Sequence, residues 1–264
     1  MRWAKRASWI VSLFVAVGLV SACQSTKEQT RVDEPPEEEP AEEPSASGQA
    51  SDSSGEKEGG HDHKHEREHG FEHPERYAER WNDPARDDWQ KPKEVIELMG
   101  VQPGMTVVDL GTGTGYFLPH LSEAVGPDGR VLALDVSDKM LTYVREEALP
   151  NLPHKNVETK RVERSDPKLA ADSVDSILMV NTWHHVTNRE AYAGKLLAAL
   201  KPGGTFVDVD YTKASGEGPP KKIKLDPEEV VEELEAAGFE AKVAEESLPK
   251  QYVVVGTKPE GNDE

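Results

Sequence analysis

The chain has 264 residues, enough for one ordinary domain with extra segments or for two small ones. Hydrophobic residues make up only 36% and charged residues 31%, and 31 basic against 50 acidic residues give a formal net charge of −19. These values argue against a uniformly globular chain and against a nucleic-acid binder, which needs a basic footprint. The single cysteine excludes an intramolecular disulfide and a cysteine-rich metal site.

Arg2, Lys5 and Arg6 precede an apolar run from Ala7 to Val20, and the small residues Ser21 and Ala22 then lead to Cys23. A basic start, a short apolar run and a small-residue end form a secretory signal, since a spanning helix needs about 20 apolar residues. Val20-Ser21-Ala22-Cys23 resembles the bacterial lipobox, in which cleavage before the cysteine leaves it lipidated. Residues 1–22 are therefore expected to be a signal peptide, and Cys23 a lipid anchor in the cell envelope. Gln24 stands where Asp often retains lipoproteins in the inner membrane, which points to the periplasmic side of an outer membrane where the cell has one. Residues 23–70 are expected to be a solvated linker: Gln24 to Gly60 holds eleven acids, three bases and no aromatic residue. His61, His63, His65, His69 and His73 follow. Imidazoles at this density can ligate Zn, Ni or Cu, but their alternation with Asp, Lys and Glu fixes no geometry, and a solvated tract with adventitious metal affinity is the plainer reading.

From Phe71 the composition turns globular. Residues 71–94 form an N-terminal cap segment in which Trp81 and Trp89 need something to pack against. The segment is either a lid lined by Trp89 and Gln90 or a cap outside the sheet. Strands are predicted over Val107–Leu110, Arg130–Val136, Asn156–Val162, Ser173–Asn181 and Thr205–Tyr211. Helices are predicted over Tyr116–Val125, Asp138–Leu149 and Asn188–Leu200. Ile177-Leu178-Met179-Val180 is apolar throughout, as in a strand covered on both faces. Asp226-Pro227-Glu228-Glu229 opens a further helix with an N-cap, an N1 proline and a capping-box glutamate, and Gly238 ends it. Ala241–Leu248 and Gln251–Thr257 are predicted to form a closing hairpin. Alternating strands and helices imply an α/β fold, a doubly wound Rossmann-like seven-stranded sheet with an antiparallel last strand, over residues 95–258. Residues 259–264 form a disordered tail.

The chemistry-bearing motif is Asp109-Leu110-Gly111-Thr112-Gly113-Thr114-Gly115 between the first strand and its helix. A tight turn approached closely by a ligand needs residues without Cβ. The spacing is G-x-G-x-G; a dinucleotide fingerprint would need glycine at 116, where Tyr116 stands. Asp135 ends the second strand and is either a ribose-diol acceptor or a surface aspartate starting a turn.

This loop, Asp135, the strand Asp175–Asn181 and Leu200-Lys201-Pro202-Gly203-Gly204-Thr205 resemble the class I S-adenosylmethionine-dependent methyltransferases in order and spacing. The resemblance implies S-adenosyl-L-methionine as cofactor. Gly111, Thr112, Gly113 and Gly115 would lie under its methionine part, and Asp109 would hold the loop or meet the amino group through water. Asp135 would take both ribose hydroxyls, with Val136 against adenine and Ser165-Asp166 at the adenine amino group. Asn181 would sit beside the reactive methyl. His184 and His185 follow the fourth strand, where one would act as base or orient the acceptor; a structural histidine pair is the alternative. Asn181-Thr182-Trp183-His184 lacks the Asn/Asp-Pro-Pro-aromatic pattern of amino-group methylators, so the expected acceptor is a small molecule or lipid-like. Lys213, Lys221, Lys222 and Lys224 lie in a loop that would either meet an anionic substrate or simply be solvated. Export sits oddly with a cytoplasmic cofactor. This keeps open a non-catalytic lipoprotein binding S-adenosylmethionine or a related nucleoside, and a metal-handling lipoprotein using its histidine tract.

Overall fold

The structure, a computed structural model, describes residues 73–261. The expected signal peptide, Cys23, the acidic linker, His61, His63, His65, His69 and residues 262–264 lie outside the described residues.

Seven strands form one sheet: β1 Thr106–Leu110, β2 Arg130–Asp135, β3 Val157–Arg161, β4 Val174–Val180, β5 Leu200–Tyr211, β6 Glu240–Val243 and β7 Gln251–Thr257. Their order is β3-β2-β1-β4-β5-β7-β6, and only β7 runs antiparallel to its neighbours β5 and β6. The seven-stranded α/β architecture with an antiparallel last strand is the one expected. The helices are α1 Pro74–Trp81, α2 Asp87–Gln90, α3 Pro92–Leu98, α4 Leu118–Val125, α5 Asp138–Tyr143, α6 Arg189–Ala199 and α7 Pro227–Ala236.

Strand side chains alternate between the two faces, so the apolar runs feed two cores. Val107, Ala133, Leu178, Val207 and Val253 pack with Val95 of α3 and Leu118, Leu121 and Val125 of α4. Val108, Leu134, Ile177, Met179, Phe206 and Val254 pack with Tyr192, Ala193 and Leu196 of α6 and Val230 and Leu234 of α7. Phe206 belongs to the second face, so Asp208 and Asp210, two and four residues on, share it. β1 pairs with β2 on one side and β4 on the other, which makes the crevice above their carboxyl ends the topological switch point.

Several boundaries differ from expectation. The helix predicted over Asp138–Leu149 becomes α5, then a π-helical segment Val144–Ala148, then a 3₁₀ turn Leu149–Asn151 whose Pro150 cannot continue a helix. The first predicted helix starts at Leu118 rather than Tyr116. Lys201-Pro202-Gly203-Gly204 is absorbed into β5 as a bulge: Val174 pairs with Leu200 but Ser176 with Thr205, and Gly203 takes φ +73°. The hairpin's first strand is shorter than predicted, ending at Val243. The capping box at Asp226 does not form, and its Oδ2 accepts from Lys213 Nζ at 2.5 Å.

Candidate functional site

β1 delivers Asp109, and the chain then turns through the glycine loop into α4. Gly111, Gly113 and Gly115 take φ +82°, +53° and +84°, the left-handed region that favours glycine. A Cβ at Gly111 would lie 2.7 Å from Thr182 Oγ1, so the segment after β4 rests directly on the glycine loop. Gly111 and Thr112 N–H donate to the Leu134 carbonyl at 2.8 and 3.0 Å, which fastens the loop to the end of β2.

There Asp135, 8% exposed, accepts from Gly113 N–H through Oδ2 at 2.9 Å and from Ser137 N–H through Oδ1 at 2.8 Å. Burial raises its pKa, and the N–H groups of Ser137, Gly113 and Val136 oppose the rise. Each carboxylate oxygen keeps a further lone pair for a ligand hydroxyl. Asp109, 4% exposed, accepts from the Thr112 hydroxyl at 2.7 Å. Burial pushes its carboxyl up to about 6, Thr112 opposes this, and the charge of Asp135 adds to it. Val136 follows β2 directly, and its carbonyl accepts from Arg161 Nε at 3.2 Å.

The third contribution comes from β4. Asn181 takes φ +53°, its N–H donates to the Val209 carbonyl at 2.8 Å, and its Oδ1 accepts from Gln251 Nε2 at 2.8 Å. Trp183 is fully buried and donates to Glu233 of α7 at 2.9 Å, which makes it a core residue. His184 Nδ1 lies 2.5 Å from Asp210 Oδ2, with the two side chains 3% and 1% exposed. A carboxylate on Nδ1 selects the tautomer with its proton there and leaves Nε2 as the accepting nitrogen. His185 is exposed and its ring lies 4.1 Å from that of His184, centroid to centroid. Behind the pair, Asp208 and the Tyr252 hydroxyl are buried with no hydrogen-bond partner among the described residues. Burial, with Asp210 adding, holds the Asp208 carboxyl well above the usual range.

The N-terminal cap closes over the glycine loop. A Cβ at Gly113 would meet the Trp81 ring at 3.3 Å, Asn82 Nδ2 donates to the Thr114 carbonyl at 3.1 Å, and the Thr114 hydroxyl donates to Asn82 Oδ1 at 2.7 Å. Gln90 is fully buried and donates to Gln251 Oε1 at 2.6 Å; it braces the cap rather than lining an open surface. Trp89 stacks near Tyr211, 6.1 Å between centroids.

The other predicted residues stand apart. Asp166 accepts from Lys168 N–H at 2.7 Å and from Lys195 of α6 at 3.4 Å, and Lys195 also donates to the Ser165 carbonyl at 2.7 Å. No hydrogen bond among the described residues joins Ser165 or Asp166 to Asp135 or the glycine loop. Of the loop lysines, Lys224 is buried and donates to the Ser215 and Glu217 carbonyls at 2.7 and 2.6 Å. Lys213 is spent on Asp226, which leaves Lys221 and Lys222 exposed. Among the described residues no cluster of His, Cys, Asp or Glu is arranged to hold a metal ion, and no helix is long and apolar enough to cross a membrane. The sequence reading missed Asp210, Gln251, Asn82 and Arg86. Asp208 and Asp210 did carry a signal, as two acids alternating with valines in a central strand.

The donors fit a nucleoside joined to an amino acid. A carboxylate with open lone pairs ends β2, a glycine cradle that a Cβ would obstruct separates it from β4, and a second carboxylate lies at the end of β1. Residues 107–204 match the methyltransferase-domain family. The crystal structure of a SAM-dependent methyltransferase from Aquifex aeolicus is 32% identical, superposes with a TM-score of 0.65, and covers 70% of this chain and 98% of that one. The ubiquinone/menaquinone biosynthesis C-methyltransferase UbiE of Pseudomonas putida is 30% identical over 118 residues, 45% of this chain and 46% of the relative. That of Shewanella pealeana is 32% identical over 122 residues, 46% and 49%. The match thus spans about half the length of these curated relatives. The chain belongs to the S-adenosylmethionine-dependent methyltransferases, and S-adenosylmethionine is its cofactor.

Proposed function

We propose that the protein transfers a methyl group to a small-molecule or lipid-like acceptor that must lose a proton, with His184 as the base and Asp210 as its positioning residue. The observation that carries this reading is the buried His184–Asp210 pair at the carboxyl ends of β4 and β5. When bound, the cofactor supplies an electrophilic methyl on a sulfonium for in-line displacement. Gly111, Thr112, Gly113 and Gly115 would cradle its methionine part, Asp135 would hold the ribose diol, and Val136 and Ser165-Asp166 would flank the adenine. Asn181, fixed by Gln251, would face the reaction centre beside His184. Holding donor and acceptor in line lowers the barrier by orientation, and Nε2 of His184 then takes the acceptor's proton while Asp210 stabilises the imidazolium. The curated relatives are named as C-methyltransferases of ubiquinone and menaquinone biosynthesis, which supports a carbon acceptor on a lipid-like molecule.

A lipidated Cys23 would tether this domain to the cell envelope, on the periplasmic side of an outer membrane where one exists. Cys23→Ser is expected to move the protein from the membrane pellet to the soluble fraction; retention in the pellet would count against the anchor. The net charge of −19 speaks against a nucleic-acid partner.

The acceptor class is tested by incubating the full-length protein with methyl-tritiated S-adenosylmethionine and solvent-extracted envelope lipids. Label is expected in the organic phase. It should fall by about 10²–10⁴ in His184→Ala and in Asp210→Asn, with cofactor affinity unchanged within about twofold. Label confined to water-soluble products would remove the lipid-like acceptor, and wild-type turnover in His184→Ala would remove the base.

A further inference from the structure

Arg86 lies between the cap helices α1 and α2, outside the stretch matched to the methyltransferase-domain family. Its guanidinium sits 3.9 Å above the Tyr116 ring, and Tyr116 directly follows Gly115. The Trp89 ring is 5.7 Å away on the cap side. Nη1 donates to the carbonyl of Trp81, the residue whose ring covers Gly113, at 2.7 Å. Nε and Nη2 both donate to Gln90 Oε1, at 3.2 and 2.9 Å.

Gln90 is itself held by fully buried contacts. It donates to Gln251, 1% exposed, which in turn donates to Asn181. The fork is therefore oriented by a chain of buried amides that runs from the cap to the end of β4. An arginine set in this way, on an aromatic face and in a fixed plane, is the arrangement suited to a planar carboxylate.

What it lacks is an anion. No carboxylate lies within ion-pair distance of Arg86 among the described residues. Asp109 and Asp87 act on it only from further away, and burial lowers its pKa. Three of its five N–H donors are used, all by neutral oxygens. A half-buried cation left unpaired is costly unless a ligand supplies the opposite charge. The glycine loop therefore has a buried carboxylate, Asp109, bonded to Thr112, and a guanidinium without a carboxylate partner over the adjoining Tyr116, charges that complement a zwitterionic amino-acid group.

We propose that Arg86 is the carboxylate-recognition residue of this site and receives the α-carboxylate of the cofactor's methionine end. The proposal rests on the cofactor site described above and adds to it a residue from the cap. It makes the cap part of the binding site rather than a cover packed on it.

The test is calorimetric titration of the full-length protein with S-adenosylmethionine and with decarboxylated S-adenosylmethionine, which keeps the nucleoside, sulfonium and amine. The wild type is expected to bind the first at least tenfold more tightly. Arg86→Met should weaken S-adenosylmethionine by about 10–100-fold while leaving the decarboxylated ligand within about twofold, which erases the discrimination. Arg86→Lys, which keeps the charge but not the fork, should fall between. Equal loss of both ligands in Arg86→Met would show a merely structural role and overturn the proposal. Full retention of S-adenosylmethionine affinity would overturn it as well and leave the guanidinium to an anionic acceptor. Failure of the wild type to bind either ligand would strike the cofactor site itself, an outcome distinct from the other two.

Discussion

At the scale of single residues, two buried acids two positions apart on β5 meet different surroundings. Asp210 is engaged with His184, whereas Asp208 has no partner and is forced toward its neutral form. Asp109 lies between these cases. Burial pushes its carboxyl up to about 6, Asp135 adds to the rise, and Thr112 and Arg86 oppose it. A folded-state pKa above the unfolded value means that folding is helped by the proton. The contribution is complete below about pH 4 and is lost as the pH rises through about 6. At pH 7 the ionised carboxylate then costs up to about 3 kcal/mol. Asp109→Asn is expected to raise stability toward denaturant at pH 7 by about 1–3 kcal/mol, net of the altered Thr112 bond, and to give no gain at pH 4. Equal effects at both pH values would show that Asp109 does not carry this cost. The strain suits a site that takes up a ligand ammonium, since an opposite charge beside Asp109 would relieve it.

At the scale of elements, the glycine loop shows why part of the site could be read in advance. Gly111, Gly113 and Gly115 announce themselves because no other residue holds those dihedrals so cheaply, and Asp135 because a strand end fixes its place. Gly111→Ala combines a left-handed backbone with a Cβ 2.7 Å from Thr182 and should lose at least about 2 kcal/mol, seen as a drop of about 4–8 °C in Tm. Gly100→Ala, at φ +69° with open space around it, should cost only the backbone part, about 1 kcal/mol. Equal drops would mean that the segment after β4 does not pack on the loop as described. What sequence could not supply were partnerships set by sheet register and by cap docking. Gln90 meets Gln251 across 161 positions, and His184 meets Asp210 only because β4 and β5 align Val180 with Val209. Asp226 gave a convincing capping pattern that local spacing cannot check against a competing lysine, and Lys213 takes its carboxylate. Tyr116, predicted helical, precedes α4, and its hydroxyl donates to Asp87 at 2.6 Å, joining the cap to the loop.

At the scale of the whole molecule, Asp109, the glycine loop, Asp135, Asn181, His184 and Asp210 gather at the carboxyl ends of β1, β2, β4 and β5 under the cap, whereas Ser165 and Asp166 stand apart in the connection after β3. All of this depends on a working cofactor site. The decisive measurement is calorimetric titration of S-adenosylmethionine and its demethylated product into the full-length protein, with Asp135→Asn beside it. The account predicts micromolar binding of both ligands, weakened at least about tenfold in the variant, because a neutral amide cannot accept the ribose diol as a carboxylate does. Absence of binding in the wild type, or equal affinity in Asp135→Asn, would contradict it.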